Sequence, residues 1–110
     1  MIKEFILRRK RGAERKEDFV KYFVRENIPE SLALMVYHKI QSGCFFKDFP
    51  VKPDDNLYKI YGIVNEDVDD IVIETAEANN RIVPNVLENQ KTVTTVEDVV
   101  RLVASFPMKV

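Results

Sequence analysis

The chain has 110 residues and a formal charge of -1 at neutral pH, with 45% hydrophobic and 32% charged residues. That is the composition of one soluble globular domain that can bury its own core, and it excludes a disordered chain and a wholly basic nucleic-acid coat. A single cysteine (Cys44) and a single histidine (His38) exclude a disulfide framework, a multi-cysteine zinc site and a histidine-cluster metal centre, and no apolar run approaches the roughly 20 residues of a membrane helix.

The opening MIKEFILRRKRG places its apolar part before its charges. It lacks the order of a signal peptide, so the expected location is the cytoplasm. Residues 1–16 hold Lys3, Arg8, Arg9, Lys10, Arg11, Arg15 and Lys16 against Glu4 and Glu14, a net +5. The rest of the chain therefore carries -6. A basic arm of this kind binds nucleic acid or an anionic surface, or lies solvated, or folds back on an acidic surface of its own. Lys3, Arg8, Arg9, Lys10 and Arg11 are its candidate anion-binding residues.

Residues 14–27 come next, with Phe19, Tyr22 and Phe23 on one side and Val20 and Val24 adjoining. The i, i+3, i+4 spacing predicts an amphipathic helix. Pro29 marks a boundary and suits the first turn of the next helix. From Glu30 to Gln41, Leu32, Met35, Val36 and Ile40 recur at helical spacing, and Gly43 is the expected stop. Residues 44–56 read as a loop, because Pro50 and Pro53 forbid a regular helix. Phe45, Phe46, Phe49 and Val51 are too apolar for a free linker, so this loop is expected to pack on the core.

Leu57 to Gly62 predicts a short turn. Val68, Ile71, Val72, Thr75, Ala76 and Asn79 then trace the clearest helical stripe in the chain. Carboxylates crowd its first turn, where they complement the positive end of the helix dipole. Ile82-Val83-Pro84 breaks that helix. Thr94-Thr95-Val96-Glu97 reads as a capping box, a hydroxyl with a carboxylate three residues later. It opens a last helix with Val96, Val99, Val100 and Val103 inward, ended by Pro107. No strand alternation is sustained, so the expected fold is all-α, a bundle of four or five helices.

The second half resembles a carrier protein of the acyl carrier type. The likeness rests on Asp55-Asn56-Leu57 with Tyr61-Gly62, on the helix Glu66–Ala78, on Ile82-Val83-Pro84 and on Val93-Thr94-Thr95-Val96-Glu97-Asp98-Val99-Val100. It spans roughly residues 30–104. The resemblance implies a four-helix bundle over residues 30–106, preceded by an additional N-terminal arm and helix over residues 1–29. It also implies a modified serine at the start of the second helix, and docking of that helix on basic patches of partner proteins.

The serine is missing. Counting from Gly62 or back from Pro84 puts its position on Asn65, and matching the acidic-apolar pattern puts it on Asp67. Neither side chain has the hydroxyl that a phosphopantetheine arm requires. Ser31, Ser42 and Ser105 lie outside the segment, and Thr75 lies too deep in the helix. The chain is similar to small bacterial carrier-like proteins of unassigned function that lack the serine. The resemblance therefore implies a scaffold with no cofactor and no catalytic residue.

Glu66, Asp67, Asp69, Asp70, Glu74 and Glu77 are then the candidate partner-binding residues, set opposite the apolar stripe. A face of one sign steers complementary partners and raises association rates. No glycine opens a calcium loop among them, so no metal site is expected. His38 lies beside Tyr37 and Lys39 and reads as structural or solvated. Cys44 reads as a small buried hydrophobe without a base partner. The three glycines, Gly12, Gly43 and Gly62, are too scattered for a phosphate loop. The expected function is a non-enzymatic interaction module for a protein with a basic surface. The N-terminal extension adds a contact to that partner or completes a homodimer, and nucleic-acid binding through the basic arm is the alternative.

Overall fold

The computed structural model describes residues 16–43, 49–84 and 93–109. Five helices fall within them: α1 (Lys16–Val24), α2 (Glu30–Gln41), α3 (Leu57–Tyr61), α4 (Asn65–Ala78) and α5 (Val96–Ala104). Two isolated antiparallel bridges, Asn56 with Thr95 and Arg81 with Met108, are the only extended pairings among the described residues. The fold is all-α, as the helical periodicities predict.

Helix α2 is the central element. It packs against α1, α4 and α5, and α4 packs against α5. The apolar stripes converge on one core. Phe19 and Phe23 enter from α1, and Leu32, Val36 and Ile40 from α2. Val68, Val72 and Ala76 come from α4, and Val96, Val99, Val100 and Val103 from α5. Truncating Leu32, which is wholly buried, to alanine removes about 2–5 kcal/mol, the transfer term plus the cavity left behind. The Phe19 ring meets Phe23 and Tyr37 edge-on at 5.0 and 5.1 Å, the arrangement the ring quadrupoles favour.

Two helices end on the same device. Asn27 after α1 and Asn80 after α4 adopt left-handed backbone, at φ 64° and 57°. The Ile28 amide donates to Phe23 O and the Asn27 amide to Val24 O. After α4, the Arg81 amide donates to Ala76 O and the Asn80 amide to Glu77 O. These paired 6→1 and 5→2 bonds satisfy carbonyls that a helix end leaves open, and asparagine tolerates the required φ. Gly43 is not used this way. Helix α2 ends at Ser42 in right-handed geometry, so the expected glycine stop gives way to an ordinary last turn. Pro29 sits at the cap position, one residue ahead of the first helical turn.

The proline-containing loop packs on the core where it is described. Phe49 and Val51 are buried, while Phe45 and Phe46 lie outside the described residues. The buried Asp55 carboxylate organises its end, accepting from the Lys52 amide at 2.9 Å and the Tyr61 hydroxyl at 2.5 Å. Backbone bonds stitch this stretch to the start of α5: Leu57 N to Thr94 O, Val96 N to Asp55 O and Glu97 N to Pro53 O. The turn at 57–62 is a short helix, capped by the Asn56 side chain on the Lys59 amide and closed by left-handed Gly62 at φ 69°.

The capping box of α5 is displaced by one residue from the Thr94–Glu97 pairing. Thr95 is the cap, and its hydroxyl accepts from the Asp98 amide at 3.2 Å. The Asp98 carboxylate accepts from the Thr94 and Thr95 amides at 2.9 and 3.0 Å and from the Thr94 hydroxyl at 3.2 Å. This frame frees Glu97 to face α1.

Candidate functional site

At 100° per residue, the buried Val68, Val72, Thr75 and Ala76 define the inner face of α4. The six carboxylates do not share one opposite face. Glu66, Asp70 and Glu77 form the outward row, all exposed. That row covers about 16 Å along the axis at 1.5 Å per residue. Asp67 and Glu74 lie one heptad apart on one flank. Asp69 lies on the other flank and is half-buried, with one carboxylate oxygen shielded and without a hydrogen-bond partner.

Glu74 is paired. The Lys39 ammonium of α2 makes a close ion pair with its carboxylate. Sequence inspection could not assign this partner, because the two residues are 35 apart and meet only through α2–α4 packing. Ser31 on α2 likewise donates to the Asn79 side chain at 2.9 Å. By contrast, no ion pair joins Glu66, Asp67, Asp70 or Glu77 to any described residue. Glu66 and Asp67 sit in the first turn, where no side chain caps the helix and their charge complements the exposed amide ends.

Asn65 is the first residue of α4 and Asp67 the third. Asn65 borders a recess of about 280 Å³ with Leu57, Ile63, Val68 and Val93. Lys59 and Thr94 also line this recess. No hydroxyl belongs to either candidate position for the missing serine.

The remaining candidates separate in space. His38 is exposed on α2 and its ring stands edge-on to Tyr37 at 6.0 Å. Cys44 and the basic residues Lys3, Arg8, Arg9, Lys10 and Arg11 lie outside the described residues. Among the described residues, no group of three or more histidine, cysteine or acidic side chains is placed to hold a metal ion. No described helix is long and apolar enough to cross a membrane.

A second charged cluster joins α1 to α5. Arg101 on α5 reaches Glu97, one turn back, at 2.6 Å and Glu26, just past α1, at 3.0 Å. Tyr22 donates its hydroxyl to Glu97 at 3.0 Å. Donation to Glu97 raises the Tyr22 phenol above its ordinary value, and bonding to Glu97 and then Glu26 raises Arg101. Burial pushes Asp98 upward, but the Thr94 and Thr95 donors together outweigh it and hold the carboxyl below its ordinary value. The i, i+4 spacing of Glu97 and Arg101 is visible in the sequence, but the participation of α1 is not.

Fold and surface together define an all-α helical domain with an acidic exposed helix. No family model, no curated protein and no solved structure matches the chain.

Proposed function

We propose that this is an acyl-carrier-like domain that carries no phosphopantetheine and serves as a protein–protein interaction module. Its docking element is α4, and its partner presents a basic surface. The observation that carries the proposal is the row Glu66, Asp70 and Glu77, exposed and without an ion pair to any described residue. Unpaired charges of one sign on a rigid helix keep their long-range field, whereas a paired carboxylate such as Glu74 contributes little to steering. The order of α2, the packed loop, α4 and α5 supports the carrier-like reading. So does the start of α4 at Asn65, the position reached by counting from Gly62.

Two experiments test the proposal. Incubation with a phosphopantetheinyl transferase and coenzyme A is expected to leave the intact mass unchanged, and a gain of one pantetheine arm overturns the proposal. Affinity capture is then compared between the native chain and the variant carrying Glu66→Lys, Asp70→Lys and Glu77→Lys. The expected result is a basic partner held by the native chain, released by salt and lost from the variant. A partner set indifferent to the reversal overturns the role of α4.

A further inference from the structure

A groove of about 430 Å³ runs between α1 and α2, on a face that does not include the α4 row. Its floor is apolar: Val20 and Val24 stand one turn apart on α1, and Leu34 faces them from α2. Val24 is 47% exposed, and Leu34, although half-buried, is not part of the main core cluster. Val20 is half-buried against the core, so Val24 is the part of the floor most open to water, and covering it removes apolar surface from solvent.

The rim carries charges of both signs. Glu17 and Lys21 lie on one row of α1, a single turn apart, with Lys16 and Glu30 beside them. None of the four makes an ion pair with a described residue. A surface of one sign calls for a partner of the opposite sign. A row reading minus then plus is complementary to itself when reversed. A two-fold axis requires this, because residue i of one copy meets residue j of the other and j meets i.

We infer that the α1–α2 groove is the two-fold interface between two copies of this chain. The α1 helices run antiparallel across it. Each Glu17 faces Lys21 of the other copy, so the pair forms twice, and the two sets of Val20, Val24 and Leu34 meet beneath. The apolar floor supplies the attraction, and the charged row fixes the register.

The test is the mass of the full chain by light scattering from micromolar to millimolar concentration. The expected species is a dimer. Val24→Glu places a charge in the floor and is expected to give a monomer, while its far-UV circular dichroism stays unchanged because residue 24 is exposed. Lys21→Glu sets like charges together twice and is expected to raise the dissociation constant about tenfold or more. The same is expected for Glu17→Lys alone. Combining Glu17→Lys with Lys21→Glu reverses both signs and is expected to restore the native constant. A full chain that is monomeric at every concentration overturns the inference. So does a dimer whose constant is indifferent to all of these changes. Neither outcome touches the α4 proposal, which is read from partner capture and intact mass.

Discussion

Tyr22 on α1 donates its hydroxyl to Glu97 on α5 at 3.0 Å, across 75 residues of chain. Arg101 completes the junction by holding Glu97 and Glu26 together. This exposed cluster fastens the first helix to the last one, over a core already sealed by Phe19, Phe23 and Val100. Exposed pairs of this kind contribute little individually. Arg101→Ala is expected to cost about 1 kcal/mol or less in urea unfolding, with the difference shrinking at high salt.

The Tyr22 bond carries a pH signature. Glu97 accepts only from the neutral phenol, so the folded value lies above the ordinary 10.0. A raised folded value means that the contribution is fully present below about pH 10 and is lost as pH rises through the folded value. The stability difference between the native chain and Tyr22→Phe is expected to vanish there. Denaturant melts of both proteins across that range, and absorbance titration of the phenols, check it.

Asp98 has the opposite sign. Its folded value lies below the ordinary 3.8, so its contribution is present above that value and is lost as pH falls through the folded one. Asp98→Ala is expected to destabilise the chain by about 1–2 kcal/mol at neutral pH and by progressively less in acid. Thr95→Ala is expected to cost about 1 kcal/mol. Glu97→Ala leaves the cap intact, so amide exchange in the first turn of α5 should be unaffected by it and accelerated by Thr95→Ala.

Thr75 is wholly buried and its hydroxyl has no hydrogen-bond partner. A buried unpaired hydroxyl loses water without gaining a bond, while its shape is nearly that of valine. Thr75→Val is therefore expected to stabilise the fold by about 1 kcal/mol, read as a higher urea midpoint with an unchanged slope.

Arg81 closes the far end of the core. One guanidinium nitrogen donates to Ala104 O at 3.0 Å and Phe106 O at 2.9 Å, at the C-terminus of α5. Around it, Ile82 N bonds Pro107 O and Lys109 N bonds Asn80 O. Arg81→Ala is expected to cost about 1–3 kcal/mol, because it strips a charged donor from two carbonyls. Arg81→Lys is expected to recover only part, since the ammonium nitrogen falls one bond short of the guanidinium nitrogen that makes both bonds. Denaturant unfolding of the two variants separates these outcomes.

Local chemistry is legible in the sequence wherever one helix turn suffices to express it. The stripe from Val68 to Ala76, the proline boundary before Glu30 and the hydroxyl–acid start of α5 all read from neighbours within four residues. The frame of that start does not, because Thr94–Glu97 and Thr95–Asp98 satisfy the same pattern. Packing chose the second, since it turns Glu97 toward Tyr22 while Val96, Val99 and Val100 stay buried. Gly43 misleads for a similar reason: a glycine permits a left-handed stop but does not impose one, and Asn27 and Asn80 take that geometry elsewhere.

By itself, the sequence determined the helical periodicity of the described segments, most residues of each inner face, and that neither Asn65 nor Asp67 has a hydroxyl. These properties come from periodicity and from the chemistry of single side chains. Tyr22, expected beside Phe19 and Phe23, is instead 38% exposed and turned to Glu97. Tertiary structure decided which acids are free. Lys39 pairs with Glu74 and Asp69 turns partly inward, which leaves Glu66, Asp67, Asp70 and Glu77 exposed and without an ion pair to a described residue. A residue's charge is a property of its type, but the field that a partner meets depends on neighbours brought in from distant parts of the chain, and those meet only once the helices have packed.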